Sequence, residues 1–510
     1  MTILPSPPAP TPGAVQYGHF IGGSWREAVS GATFESRNPA RRSDLVGTFA
    51  AGDSDDIDLA VAAARQAFPS WARTPMPERA DLLLRAARLL AERKQQLAEV
   101  MTREMGKVLT EARGDVQEGI DMTLYMAGQG RRPCGETVPS ELRQKRCFTE
   151  RVPIGVVGCI TPWNFPMAIP TWKLMPALLA GNTVVFKPAE DTPLVATRLV
   201  EILVEAGLPP GVCNMVTGLG ETAGAALVRH PEVPAISFTG SAEVGHAIAA
   251  ACGGAGKRVG LELGGKNAML VLADGDLELA VDGALWGAFG TSGQRCTATS
   301  RLVVERPVVA EFTERLLARV ERLRLGDGLD PATDVGPVIN DRQLRRIHGY
   351  TEVGQQEAGR LLTGGSIAAD GQLGEGCFYR PTLFTDVRSD MRIAQEEIFG
   401  PTTAILPVAD FEEALAVANG TRFGLSLAVY TRDLQRAMAA VDRLEAGIVY
   451  VNAPTIGAEI QLPFGGTKST GNGHREAGTT AMDEFSEWKT VYIDYSGRLQ
   501  RAQIDTHTAG

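Results

Sequence analysis

Between Ile154 and Ala251, short apolar runs alternate with helix-like stretches of about ten residues, and this alternation limits the fold more than any other feature. Strands are expected at Ile154–Ile160, Thr183–Phe186, Val212–Val216 and Ala235–Phe238. Helices are expected at Pro166–Leu179, Leu194–Glu205, Thr222–Arg229 and Ala242–Ala251. Strands apolar on both faces and joined by helices make an α/β fold with a parallel, doubly wound sheet. Such sheets bind nucleotides at the carboxyl ends of their strands. A second α/β block begins near Leu263, with strands at Asn267–Val271, Leu302–Glu305, Thr403–Val408 and Leu427–Tyr430 and helices at Leu277–Phe289 and Phe411–Ala418. The part before Arg151 reads as helical: Ser54–Phe68, a helix entered at Pro77 with Leu82, Leu83, Ala86, Leu89 and Leu90 at helical spacing, and Thr110–Met126.

Bulk properties exclude several functions. A chain of 510 residues implies two or three domains, and its net charge of −10 gives no basic face for nucleic acid. The longest apolar candidate for a membrane span, Val152 to Pro170, is broken by Pro153, Pro162 and Pro166. The seven cysteines are irregularly spaced without a Cys-x-x-Cys pair, which predicts free thiols and a reducing, cytoplasmic setting. The six histidines form no metal-binding spacing, so no metal is expected. Residues 1–15 are proline-rich without a basic start, and read as a disordered tail.

Six segments carry groups suited to chemistry. In Phe289-Gly-Thr-Ser-Gly-Gln-Arg-Cys-Thr297 a cysteine follows a glycine-containing loop whose N–H groups can face an oxyanion, and Arg295 offers a cation that would lower the Cys296 thiol pKa. Leu261-Glu-Leu-Gly-Gly-Lys-Asn267 places Glu262 at a strand end, where a carboxylate can act as a general base. Thr161-Pro-Trp-Asn-Phe-Pro166 offers the Asn164 amide as an oxyanion donor. Phe186-Lys-Pro-Ala-Glu190 ends a strand with a cation, Lys187, and a ribose acceptor, Glu190. In Phe238-Thr-Gly-Ser-Ala-Glu-Val-Gly245, Ser241 opens a helix whose free N–H groups suit a phosphate. Gln395-Glu-Glu-Ile-Phe-Gly-Pro401 supplies Glu397 for a second ribose and Phe399 for a ring. Taken singly, each also reads as ordinary structure: a buried cysteine, a solvated glutamate, an asparagine in a proline turn, a surface ion pair, an acidic turn. Neither the helix opened by Ser241 nor Gly218-Leu-Gly220 has the usual dinucleotide glycine spacing.

Together, in this order, the six segments resemble the aldehyde dehydrogenase superfamily over about residues 19 to 495. Pro463-Phe-Gly-Gly466 and Thr102-Arg-Glu-Met-Gly-Lys107 are similar to it as well. The resemblance implies that Cys296 attacks an aldehyde, that the Asn164 amide and the Cys296 N–H hold the oxyanion, and that Glu262 activates water to hydrolyse the thioester. It implies a dinucleotide held by Ile160, Thr161, Pro162, Trp163, Lys187, Glu190, Gly220, Phe238, Gly240, Ser241, Leu263, Glu397 and Phe399. A carboxylate at Glu190 favours NAD, with NADP possible through Lys187. It implies a Rossmann-type NAD-binding domain at residues 16–133 and 153–264, a catalytic domain at 265–482, and a strand arm at 134–152 and 483–502 for a homodimer or homotetramer.

For the substrate, Asn452-Ala-Pro-Thr-Ile-Gly-Ala-Glu459, Val116-Gln-Glu118 and Arg295 are similar to α-aminoadipic semialdehyde dehydrogenases. Arg151-Val-Pro-Ile-Gly-Val-Val157 and Thr297-Ala-Thr-Ser300 are as similar to α-ketoglutaric semialdehyde dehydrogenases. Both imply an aldehyde that bears a carboxylate; the first implies that Glu118 and Arg295 engage the amino acid head of the substrate, and the Gly457-Ala458 turn offers N–H groups to a carboxylate. A broad-specificity aldehyde dehydrogenase and a CoA-acylating dehydrogenase are the alternatives, and Glu262 speaks against the second.

Overall fold

The computed structural model describes residues 15–132 and 134–505, so the expected tail, apart from Val15, lies outside the described residues. A first sheet holds seven strands: β1 (His19–Ile21), β2 (Ser24–Arg26), β3 (Val156–Ile160), β4 (Thr183–Lys187), β5 (Cys213–Met215), β6 (Ala235–Thr239) and β7 (Arg258–Glu262). Their spatial order is β7-β6-β3-β4-β5-β1-β2. Strands β3 to β7 run parallel, and the β1–β2 hairpin closes one edge antiparallel. The chain starts in the middle at β3, winds outward through β4 and β5, then returns to lay β6 on the other side of β3. The carboxyl ends of β3 and β6 flank this reversal, which opens a crevice there. Val156, Val157, Val184, Val185 and Phe186 are buried, as expected for strands covered on both faces.

Four residues after β7 the chain enters a second seven-stranded sheet. Its strands are β8 (Asn267–Val271), β9 (Thr299–Glu305), β10 (Arg360–Thr363), β11 (Thr382–Thr385), β12 (Thr402–Val408), β13 (Ser426–Tyr430) and β14 (Ile448–Val451), in the order β10-β11-β12-β9-β8-β13-β14. All neighbours pair parallel except β10 with β11. Leu263-Gly-Gly-Lys266 joins the two sheets.

The amino-terminal region differs from its helical expectation. Gln16–Tyr17, Thr33–Arg37 and Leu45–Ala50 form a small sheet, and β1–β2 joins the first large one. Strands of two to six residues are too brief to show a periodicity. The β1–β2 turn uses Gly22 and Gly23 at φ 63° and 90°, where a side chain would be strained. The helices follow local signals. Asp53 and Asp56 form a reciprocal cap on Ser54–Arg73, and Pro77 opens Met76–Glu92. Leu109–Gln129 packs on Met76–Glu92 and on Ala168–Ala180 through Leu83, Met122, Met126, Leu174 and Leu178. Thr222–Arg229 is helical only from Ala225, after a wide turn at Gly220–Gly224.

Thr137–Val138, Lys145–Pro153 and Ser486–Asp494 form a separate antiparallel sheet, with Ser486 opposite Pro153 and Asp494 opposite Lys145. Its Trp488, Tyr492 and Ile493 are exposed. Among the described residues no helix is long and apolar enough to cross a membrane.

Candidate active site

Cys296 lies between the helix Leu277–Phe289 and β9, after a turn held in an unfavourable conformation. Thr291, Ser292 and Gly293 all have left-handed backbones, with φ of 53°, 54° and 67°. Each non-glycine residue there costs about 1–3 kcal/mol, so its neighbours must hold it. Both carboxylate oxygens of Glu111 accept from the Thr291 N–H, at 2.8 and 2.9 Å. The Ser292 hydroxyl donates to the Gly336 carbonyl at 2.7 Å. A Cβ on Gly293 would overlap the Gly400 carbonyl, so only glycine fits. Beyond the turn, the Asn267 amide donates to the carbonyls of Cys296 (2.8 Å) and Ala298 (2.9 Å). The nucleophile candidate is thus pinned on both sides.

The Asn164 amide donates to the Gln294 carbonyl at 3.0 Å, which sets it beside the same loop. Its second amide hydrogen has no protein partner among the described residues. Solvent reaches part of Cys296, yet its surroundings are dense enough that burial pushes the thiol up to about 12. The charges of Glu397 and Glu262 add to that rise, and the Thr297 N–H opposes it. Arg295 does not depress the thiol as its sequence position suggested. Its guanidinium turns to Glu111 at 3.1 Å and to the Thr291 hydroxyl at 3.0 Å.

Glu262 ends β7 and is 4% exposed, with neither carboxyl oxygen hydrogen-bonded. Its carboxyl lies over Gly465 (φ 150°), where a Cβ would collide with it. Burial holds Glu262 well above the usual carboxylate range; the charge of Glu476 adds, while Lys173 and Arg475 oppose. The protonated form of Glu262 is thereby favoured, and the carboxyl must be ionised to serve as a base. Behind it Lys173 pairs with Glu476 and donates to the Ser237 hydroxyl at 2.9 Å. The sequence reading passed over both Lys173 and Glu476. The available signal was Lys173 itself, the lone charge in a helix whose every residue is buried.

The residues expected to hold a dinucleotide ring the crevice. Ile160 closes β3, and Thr161 donates its N–H to the Lys187 carbonyl at 3.3 Å. Pro162 and Trp163 follow, and the Trp163 ring meets the edge of Phe399 at 5.4 Å, bridging the two sheets. Lys187 Nζ lies 3.0 Å from Glu190 Oε2. Burial works to raise Glu190, but the Lys187 charge, the hydrogen bonds from the Glu190 backbone N–H and Lys187, and the Arg342 charge together outweigh it, and the carboxyl sits below its ordinary range. Gly220 opens the wide turn that brings Gly224 alongside the Lys187 stem, and a Cβ on Gly220 would meet nothing within 4 Å. Phe238 is buried at the end of β6, and Gly240 gives its ring clearance. Ser241 accepts from the Val244 N–H at 3.4 Å and caps Ala242–Gly254. Leu263 donates its N–H to the Thr470 carbonyl at 2.8 Å. Glu397 accepts from the Gly265 N–H at 3.0 Å and fills the space that a Cβ on Gly264 would need. A cation–carboxylate pair, a capped helix start and an open glycine turn at one strand edge fit a dinucleotide.

At the mouth, the Arg295 guanidinium lies 5.3 Å from the Phe165 ring centre and 6.0 Å from that of half-exposed Trp286. A Cβ on Gly457 (φ 101°) would sit 3.9 Å from Trp286, so this turn reaches the Arg295 cluster. Ala458 follows it, half-buried. Glu118 is not the partner of Arg295; that place belongs to Glu111, which the sequence reading did not single out. Burial and the charge of Asp115 push the Glu118 carboxyl up to about 8. Beneath the mouth, fully buried Lys107 pairs with Asp115 at 2.8 Å and lies 3.8 Å from the Phe165 ring centre.

The chain is similar to known proteins over nearly its whole length. The model of the aldehyde dehydrogenase family matches residues 25–491. The chain is 42% identical over 477 residues to the α-ketoglutaric semialdehyde dehydrogenase of Bacillus subtilis (strain 168), covering 94% of this chain and 98% of that one. It is also 42% identical over 477 residues to a betaine aldehyde dehydrogenase of Rhizobium leguminosarum bv. trifolii, covering 93% and 96%. Among solved structures, the Staphylococcus aureus betaine aldehyde dehydrogenase in complex with NAD+ superposes with a TM-score of 0.92 at 33% identity, covering 95% of each chain.

Proposed function

The chain belongs to the aldehyde dehydrogenase family, and from that premise we propose that it oxidises an aldehyde to a carboxylic acid with NAD, through a thioester on Cys296. One observation carries this reading: a pinned thiol, an amide donor at Asn164 and an unpartnered carboxyl at Glu262 converge on one loop between the two sheets. The Cys296 thiol loses its proton to solvent, its sulfur bonds the aldehyde carbon, and the oxyanion takes hydrogen bonds from the Asn164 amide and the Cys296 N–H. The bound dinucleotide supplies a two-electron acceptor for the hydride that leaves this carbon. Glu262 then takes a proton from water, the water oxygen attacks the thioester carbon, and the sulfur leaves.

Ile160 to Trp163, Lys187, Glu190, Gly220, Phe238, Gly240, Ser241, Leu263, Glu397 and Phe399 hold the dinucleotide in this reading. Glu190 accepts a ribose 2′-hydroxyl and repels a 2′-phosphate, which supports NAD over NADP. The S. aureus relative's complex with NAD+ supports the same choice. The first sheet with the helices before it serves as the cofactor domain, and the second sheet as the catalytic domain. The arm, with Trp488, Tyr492 and Ile493 exposed, serves a homodimer or homotetramer. Seven unpaired thiols suit a reducing, cytoplasmic setting.

The substrate is a carboxylate-bearing semialdehyde of the α-ketoglutaric type. Arg295 at the mouth attracts a distal carboxylate and repels a quaternary ammonium, which disfavours betaine aldehyde. Glu118, held at about 8, is neutral at pH 7 and gives an α-ammonium group no counter-charge, which disfavours the α-aminoadipic reading. Rates of NADH formation with α-ketoglutaric semialdehyde, betaine aldehyde and hexanal, with and without CoA, test this. The semialdehyde should lead in kcat/KM by about ten-fold or more, with free acid as product. Equal efficiency with hexanal, or a lead for betaine aldehyde, overturns the substrate; an acyl-CoA product overturns Glu262 as base.

A further inference from the structure

Behind Glu262, the core between β7, β6 and the helix Ala168–Ala180 gathers carboxyls around one buried ammonium, with the charges of Arg475 and Arg258 also acting on them. Lys173 is its one ammonium, and it is bonded to Glu476 and Ser237. A third carboxyl joins Glu262 and Glu476 there. Glu484, the last residue of the short helix Ala481–Glu484, is 4% exposed, and its Oε1 has no hydrogen-bond partner. Its carboxyl occupies the space over Gly260, where any Cβ would collide with it. Gly260 and Glu262 lie two residues apart on β7 and face the same side of the sheet. β7 thus brings the Glu484 carboxyl onto the face that carries the Glu262 side chain.

We propose that Glu484 is a positioning residue for the Glu262 base, competing with it for the Lys173 ammonium and thereby setting the pH at which Glu262 can accept a proton from water. The inference rests on the reading of Glu262 as that base. Every element packed against Glu484 is accounted for. Lys173 faces it from its helix, Ser237 from β6, Cys159 from β3 and Glu476 from the segment before it. Arg258 on β7 donates to the backbone carbonyls of Glu484 (3.5 Å) and Ser486 (2.9 Å), and its charge adds a smaller pull on the Glu484 carboxyl than that of Lys173. Glu262 and Glu484 share the Lys173 charge, and a charge on Glu484 holds the proton on Glu262. Burial pushes Glu484 up to about 7, with the Glu476 charge adding and the Lys173 charge and Ser237 hydroxyl opposing. Its own titration thus falls where a cell's pH can reach it.

The test follows hydrolysis of the acyl-enzyme formed on Cys296 by p-nitrophenyl acetate, in a single turnover over roughly pH 5 to 10. Glu484→Gln keeps the side-chain volume and removes the charge. The midpoint of the rise in rate should move down by about half a unit or more, and Glu484→Asp should restore it toward the native value. Ser237→Ala, which weakens the ionised form of Glu484, should move it the same way and serves if Glu484→Gln does not fold. Unmoved midpoints in a folded variant overturn the proposal. Failure of the native protein to form an acyl-enzyme would instead overturn the function on which it rests.

Discussion

The inner wall of the site and its mouth hold charge in opposite ways. At the mouth the two cations are each paired, Arg295 with Glu111 and Lys107 with Asp115. On the inner wall, Glu262, Glu476 and Glu484 surround a single Lys173, and the Glu262 oxygens have no partner. Loss of one member of a fully buried pair such as Lys107–Asp115 is strongly destabilising, so the floor of the mouth is suited to holding a shape. An unmatched cluster changes its proton count at small cost, so the inner wall is suited to moving one. In the proposed function, recognition and proton transfer fall at different ends of one site.

The largest effect is expected on the inner wall. Glu262→Gln should lower steady-state turnover by about 10²- to 10⁴-fold, while the first-turnover burst of reduced cofactor survives in stopped-flow absorbance. Loss of the burst together with turnover would place Glu262 before the thioester and blur the division. At the mouth, Arg295→Leu should lower kcat/KM for α-ketoglutaric semialdehyde about 10- to 100-fold and leave hexanal nearly unchanged. An equal loss on both would make Arg295 a brace for the Thr291 turn and nothing more. The smallest effect lies between the two regions. Negative charge on Glu262 raises the Cys296 thiol, so removing it lowers that pKa. Iodoacetamide labelling of the cofactor-free protein should rise with pH without levelling below about pH 10, and Glu262→Gln should label a few-fold faster at alkaline pH. A plateau near neutrality would mean that the thiol is already activated.

The parallel sheet and the six segments around it were legible because strands buried on both faces and loops at their ends leave local patterns. The β3 run and the Lys187–Glu190 pair are read from a few adjacent residues. What was not legible depends on distant chain. Glu111 meets Arg295 across 184 positions, and Lys173 meets Glu476 across 303. No spacing rule reports either contact. Arg295 shows the limit most clearly. Its neighbour in sequence is Cys296, so a pKa effect on the thiol was the natural expectation. The left-handed turn at Thr291–Gly293 instead sends the guanidinium to Glu111. The short strands between Gln16 and Ala50 were missed because they hold too few residues to show a period.

The most direct test of the account is peptide mass analysis of Glu262→Gln after mixing with NAD and α-ketoglutaric semialdehyde. Trapped acyl-enzyme should appear as one added acyl group on the peptide carrying Cys296, absent when Cys296 is also changed to Ala. An unmodified Cys296 peptide in protein that has reduced the cofactor, or an acyl group on another residue, would contradict it.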